Sequence, residues 1–125
     1  MDAHHHTKGR RVLVVEDEAL IAMLLETMLE DLECVVLGPA QTVAAALDLL
    51  GSGSQIDVAL LDFNLGGQPS YPVADALRAR GVPVIFCTGY GDLALRQADQ
   101  GSAVLCKPYR AADLSAALAA AFAPA

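Results

Sequence analysis

VLVVEDE, residues 12–18, runs four apolar residues straight into three carboxylates. An apolar, β-branched run this short reads as a strand buried on both faces. A second such run, VALL at 58–61, also ends on an acid, Asp62. If the two strands lie side by side and parallel, Glu16, Asp17 and Asp62 converge at one sheet edge. Carboxylates held that close raise one another's pKa unless a cation or proton intervenes, and the natural occupant is a hard divalent cation, Mg2+. A third run, VIFC at 84–87, ends on Thr88, and a fourth, AVLC at 103–106, on Lys107. Acids, hydroxyl and ammonium together make a set able to hold and stabilise a phosphoryl group.

Outward from these runs, short strands alternate with longer segments of helical period, a pattern that predicts a parallel sheet covered by helices on both faces. The strands are expected at Arg11 to Val15, Cys34 to Leu37, Val58 to Leu61, Val84 to Cys87 and Ala103 to Cys106. Between the first two, Leu20, Leu24, Leu25, Met28 and Leu32 form an apolar helical stripe, with Glu26, Glu30 and Asp31 on the other face. A second helix is expected from Thr42 to Leu50, with Val43, Leu47 and Leu50 inward and Gly51 in the left-handed position past its end. A third runs from Val73 to Arg80, before Gly81. The last begins near Ala111 and carries Leu114, Leu118 and Phe122 at intervals of four, with Asp113 near its positive end. Gly89 to Gly101 has little apolar stripe beyond Leu93 and Leu95 and reads as a short or mobile helix. Right-handed crossovers give an α/β, doubly wound, five-stranded parallel sheet of order 2-1-3-4-5, whose switch point lies between the first and third strands. Ligands bind outside the carboxyl ends of strands at that switch, where the acids fall.

At 125 residues the chain suits one domain with one core, and its 54% hydrophobic and 18% charged composition argues against disorder. A net charge of −7 opposes binding to nucleic acid or to an anionic membrane surface and points to a protein partner. The apolar runs stop well short of membrane-spanning length and no signal-peptide pattern opens the chain, so the cytoplasm is expected. Cys34, Cys87 and Cys106 show no CxxC spacing and read as buried reduced thiols. His4, His5 and His6 read as a tag remnant, which assigns residues 1–9 to an N-terminal tail and 10–125 to the folded domain.

In this order the motifs VLVVEDE, VALLDFNLGG, IFCTGYG and LCKPY resemble those of the receiver domains of two-component response regulators, over essentially all of the chain after the tail. Each is weak alone; four in sequence are specific. The resemblance implies a flavodoxin-like three-layer fold and a function as phosphoacceptor. Asp62 would accept a phosphoryl group from a sensor histidine kinase or phosphotransfer protein, forming an aspartyl phosphate. Asp17 would be the direct Mg2+ ligand and Glu16 the water-mediated one, with Asp62 and the backbone carbonyl of Asn64 completing the protein's share. Lys107 would contact a phosphoryl oxygen, and Thr88 would be the switch residue that turns toward the phosphoryl group. The Lys107-Pro108 bond is expected to be cis. Such a protein assists its own phosphotransfer and dephosphorylation without being a classical enzyme, and signals by contact with a downstream protein or acts as a phosphate sink. A homodimer through the weak fourth helix, the fifth strand and the last helix follows the same analogy.

The chain departs from the family at Val104, where receivers usually carry Tyr or Phe three positions before the lysine. CTGYGD, residues 87–92, is similar instead to the Phe-Ala-Thr-Gly motif of an alphaproteobacterial receiver subfamily with many single-domain members, with Cys87 in place of the alanine. Tyr90, flanked by glycines, is therefore expected to carry the conformational readout, which unchanged amide shifts over Gly89 to Gly101 on phosphorylation would refute. With no basic linker at its C-terminal end, the chain reads as a single-domain regulator rather than an excised receiver. Two other readings stand beside this one. A small Mg2+-dependent phosphohydrolase also uses an aspartate nucleophile with paired acids and a lysine, but usually places the nucleophile after the first strand and needs a substrate lid. A pseudo-receiver would serve only as an interaction module, against which the full set of charged site residues argues. Taken singly, Thr88 is an ordinary strand end, Lys107 a surface charge, Glu18 a first-turn helix charge, and Tyr109 and Phe122 packing residues.

Overall fold

A computed structural model describes residues 7–89, 103–107 and 109–122. The elements run β1 (Arg11–Val15), α1 (Ala19–Asp31), β2 (Val35–Ala40), α2 (Val43–Gly51), β3 (Val58–Asp62), β4 (Asn64–Leu65), β5 (Gln68–Pro69), α3 (Tyr71–Ala79), β6 (Val84–Thr88), β7 (Ala103–Cys106) and α4 (Ala111–Phe122). Five parallel strands form one sheet in the order β2-β1-β3-β6-β7. Counted among themselves, these are the expected 2-1-3-4-5. The labels shift because an antiparallel hairpin, β4–β5, which the sequence reading did not anticipate, follows β3.

Period-two alternation assigns each strand's side chains to two cores. Leu13, Val15, Ala59, Leu61 and Phe86 face α2 and α3, and Val12, Val14, Val58, Leu60 and Ile85 face α1 and α4. The result is the expected three-layer α/β architecture. The sheet's central strands are buried on both sides, so their sequences read as continuous apolar runs.

The first, second, third and last of the expected helices form, with shifts of detail; the third begins at Tyr71, two residues before the expected Val73, and ends at Ala79. In α1 the buried residues are Ala22, Leu25 and Leu29, whereas Leu20 is 82% and Met23 61% exposed and Leu24 also faces out. The helix carries two overlapping apolar stripes, and packing on the sheet selects the one whose small Ala22 permits close approach. In α2, capped by Thr42 Oγ1 accepting from the Ala45 amide at 3.0 Å, Ala46 rather than Leu47 turns inward, and Gly53, with φ 81°, takes the left-handed position expected of Gly51. β2 begins after Cys34 and extends to Ala40.

Two further expectations meet different outcomes. Cys34 and Cys87 are buried thiols, but Cys106 is exposed, because β7 is the edge strand and Cys106 stands at its end. Thr7 and Gly9 of the expected tail are joined to the fold: Thr7 is buried and its hydroxyl donates to the Leu32 carbonyl at 2.8 Å, and the Gly9 amide donates to Glu33 at 2.8 Å. Among the described residues no helix is long and apolar enough to cross a membrane. The expected fourth helix, Tyr90, and the Lys107-Pro108 bond lie outside the described residues, as does part of the surface assigned to a homodimer.

Candidate phosphoryl-acceptor site

At the carboxyl edge of the sheet, β1 delivers Glu16 and Asp17, and β3 delivers Asp62. The register Val15↔Leu61 places these strand ends side by side. Carboxylate oxygens of Glu16, Asp17 and Asp62 all lie within 4.8 Å of one another. β7, on the far side of β6, is followed directly by Lys107, whose amide donates to the Thr88 carbonyl at 2.9 Å and whose side chain crosses to the acids. Its Nζ lies 3.3 Å from Asp62 Oδ2, 3.0 Å from Glu16 Oε1 and 3.8 Å from Glu18 Oε1.

The structure thus brings Glu16, Asp17, Asp62 and Lys107 into one cluster, and Thr88 lines the same cavity of about 710 Å3. Asn64 also lines it: its amide donates to Asp62 Oδ1 at 3.4 Å and its side-chain oxygen accepts from Gly67. A second cavity, about 580 Å3, opens at the opposite end of the strands around Arg78, Val82, Pro83 and Ala121, away from these acids.

Burial decides the electrostatics. Glu16 is 1% exposed, and desolvation, reinforced by Asp62, raises its pKa to about 7 against the opposing pull of Lys107. Its Oε2 accepts from the Glu18 amide at 3.2 Å, while Oε1 is ion-paired with Lys107 Nζ at 3.0 Å. For Asp17, burial raises the pKa less than the Gly66 amide and the neighbouring carboxyls lower it, so the net shift is downward. Burial works against the charge of Lys107, but the acids outweigh it and its pKa rises. One ammonium therefore faces Glu16, Asp62 and, more distantly, Glu18. Carboxylates from three residues within 4.8 Å of one another, faced by a single ammonium, offer the hard oxygen donors that a divalent cation takes.

Two participants escaped the sequence reading. Glu18, taken as a plain helix charge, lines the cavity and approaches Lys107. Gly66, whose amide donates to Asp17 Oδ2 at 2.9 Å, reaches the cluster from the hairpin. The Gly66-Gly67 pair was the available signal, since two glycines between short extended runs mark a two-residue hairpin turn. Phe63, directly after Asp62, packs edge-on against Tyr71 at 5.5 Å and near Phe86 at 6.2 Å, so the strand end that carries Asp62 rests on an aromatic cluster.

Both sequence and fold match known proteins. Residues 12–119 match the family model of the response regulator receiver domain. The phyllosphere-induced regulator PhyR of Methylorubrum extorquens is 34% identical over 110 residues, which are 86% of this chain and 41% of PhyR, so the chain spans less than half of that relative. The solution structure of SdrG from Sphingomonas melonis Fr1 superposes with a TM-score of 0.81 at 43% identity, covering 92% of this chain and 98% of SdrG. The BeF3-activated conformation of SdrG from Pseudomonas melonis Fr1 superposes with a TM-score of 0.78 at 45% identity, covering 90% of this chain and 96% of that one. The acid cluster at the sheet's switch point, the lysine crossing to it and the match along the whole sheet place this chain in the family of response regulator receiver domains.

Proposed function

We propose that the chain accepts a phosphoryl group on Asp62 from the phosphohistidine of a sensor histidine kinase or phosphotransfer protein, in a Mg2+-dependent step, and signals by contact with a downstream protein. The observation that carries this reading is the placement of Asp62 within 4.8 Å of two further carboxylates and 3.3 Å from Lys107 Nζ, at the mouth of an open cavity.

Asp17, Glu16, Asp62 and the Asn64 carbonyl would hold Mg2+, which when bound offsets the repulsion between the attacking carboxylate and the incoming phosphate. Asp62 supplies the nucleophilic oxygen. As its bond to phosphorus forms, the phosphorus–nitrogen bond to the donor imidazole breaks, and the imidazole keeps the electron pair and is protonated from solvent. Lys107, already aimed at Asp62 Oδ2, takes a phosphoryl oxygen as a point charge. Thr88, at the end of β6 on the cavity wall, supplies a hydroxyl to another. The protein serves as a signalling element that takes part in its own phosphorylation and dephosphorylation, not as a classical enzyme. The receiver unit spans residues 10–125, with Thr7 to Gly9 tied to it.

The donor has a surface to land on. Leu20, Met23 and Leu24 are exposed apolar residues in the first turns of α1, immediately after the acids that line the mouth. A partner that presents its phosphohistidine to Asp62 covers this face.

Incubation with Mg2+ and acetyl phosphate followed by intact-mass measurement tests the reading. Wild type gains one phosphoryl group and Asp62→Asn gains none. A protein that binds Mg2+ but gains nothing from acetyl phosphate or from a kinase would refute phosphoacceptor function. One that does not bind Mg2+ at all is an interaction module only.

A further inference from the structure

Asp17 is the exposed member of the acid cluster; Glu16 and Asp62 are buried. A buried carboxylate is positioned by packing, whereas an exposed one needs a partner to hold its rotamer, and ligating carboxylates are commonly fixed by a hydrogen bond from outside the metal's own shell. The partner here is remote in sequence: the Gly66 amide donates to Asp17 Oδ2 at 2.9 Å across 49 positions. One oxygen of the Asp17 carboxylate is thereby held from outside the acid cluster.

The donor sits on a rigid carrier. Leu65 pairs with Gln68 across a two-residue turn in which Gly66 has φ 58° and Gly67 φ 86°, the signature of a type I′ hairpin. The Gly67 amide closes the turn onto Asn64 Oδ1 at 2.8 Å. Leu65 is buried in the core beneath α2 and α3, and the amide and hydroxyl of Ser70 both donate to the Phe63 carbonyl at 3.1 Å, which ties the two ends of the segment together. Open space surrounds the position where a Gly66 side chain would project, so the constraint on this position is its left-handed backbone conformation and not room.

We infer that the β4–β5 hairpin is a positioning element for the cation site, and that the Gly66 N–H sets the orientation of Asp17 for Mg2+. The inference rests on the reading of Glu16, Asp17 and Asp62 as the Mg2+ site. The same hairpin carries Asn64, so one short element governs two of the groups assigned to the cation.

The test compares Mg2+ dissociation constants of wild type, Gly66→Val and Gly66→Asn, from amide shift changes during titration with Mg2+ alone. Valine does not tolerate φ near 58°, so the turn opens; asparagine does, and keeps the type I′ geometry and its N–H. Gly66→Val is expected to weaken Mg2+ binding about tenfold or more, and Gly66→Asn to bind as wild type does. Unchanged affinity in Gly66→Val overturns the inference alone; no Mg2+ binding by wild type overturns the reading of the site and the inference with it. A readout independent of Gly66 variants is hydrogen exchange at the Gly66 amide in metal-free protein. Asp17→Ala is expected to speed it, and an unaltered rate would also overturn the proposal.

Discussion

Glu16 shows how a single residue couples burial to chemistry. With its pKa raised from an ordinary 4.5 to about 7, the folded metal-free protein holds a proton that the unfolded chain has already released. The folded state binds more protons between those values, so this residue's contribution makes stability fall as pH rises from about 4.5 to about 7. Thermal unfolding of the metal-free protein across this window is expected to show the decline, and Glu16→Gln to remove that share of it. The same proton competes with Mg2+, so affinity below the pKa should rise with pH, by at most about tenfold per unit for one proton, and level off above neutrality. A Mg2+ titration series from pH 6 to pH 8 checks this, with Glu16→Gln expected to flatten the curve. Nothing in the string VLVVEDE distinguishes Glu16 from Asp17 in this respect. Glu16 turns into the protein and Asp17 out of it, a difference made by the β1 register and by the Lys107 and Gly66 contacts.

At the scale of elements, α1 and the β4–β5 hairpin are the two whose tertiary placement adds to the reading of the sequence. The heptad-like spacing of Leu20, Leu24, Leu25, Met28 and Leu32 announced a helix, yet the helix is apolar on more than one side, and spacing alone does not say which side meets the sheet. Packing buries Ala22, Leu25 and Leu29 and leaves Leu20 and Met23 in solvent. If that face receives the phosphodonor, Leu20→Glu and Met23→Glu slow phosphotransfer from a kinase or phosphotransfer protein by about tenfold or more, the effect of losing an apolar anchor of 1.4 kcal/mol or more. Transfer from acetyl phosphate, which needs no landing surface, stays at the wild-type rate. Equal slowing with both donors would remove the face from the donor interface. The hairpin was legible only as a pair of glycines. Its function depends on contact with Asp17, a distance that local spacing does not encode.

For the molecule as a whole, two cores back to back across one sheet hold the site in place. Phe86 is fully buried, lies beside Val104 in the β6–β7 register and packs near Phe63, the residue after Asp62. Phe86→Ala is expected to cost about 3–5 kcal/mol of stability, read from chemical denaturation. Val104, half-buried where receivers usually carry an aromatic residue, packs against the same core as Phe86 and Phe63.

By itself the sequence determined the five parallel strands and the helices α1 to α4 in their order, though not the β4–β5 hairpin, because the period-two and helical patterns are local and each strand end is marked by a change in residue character. It also identified the acids, the hydroxyl and the lysine that meet at one edge, since they stand at the ends of strands that doubly wound topology sends there. Tertiary structure alone decided the rest. Which stripe of α1 is buried, that Glu16 is forced toward neutrality while Asp17 stays ionised, that Glu18 approaches Lys107 and that Gly66 reaches Asp17 all depend on register, twist and packing depth. Those quantities arise between segments far apart in the chain, where an ångström changes a carboxylate's solvation or makes a hydrogen bond, and no local spacing carries them.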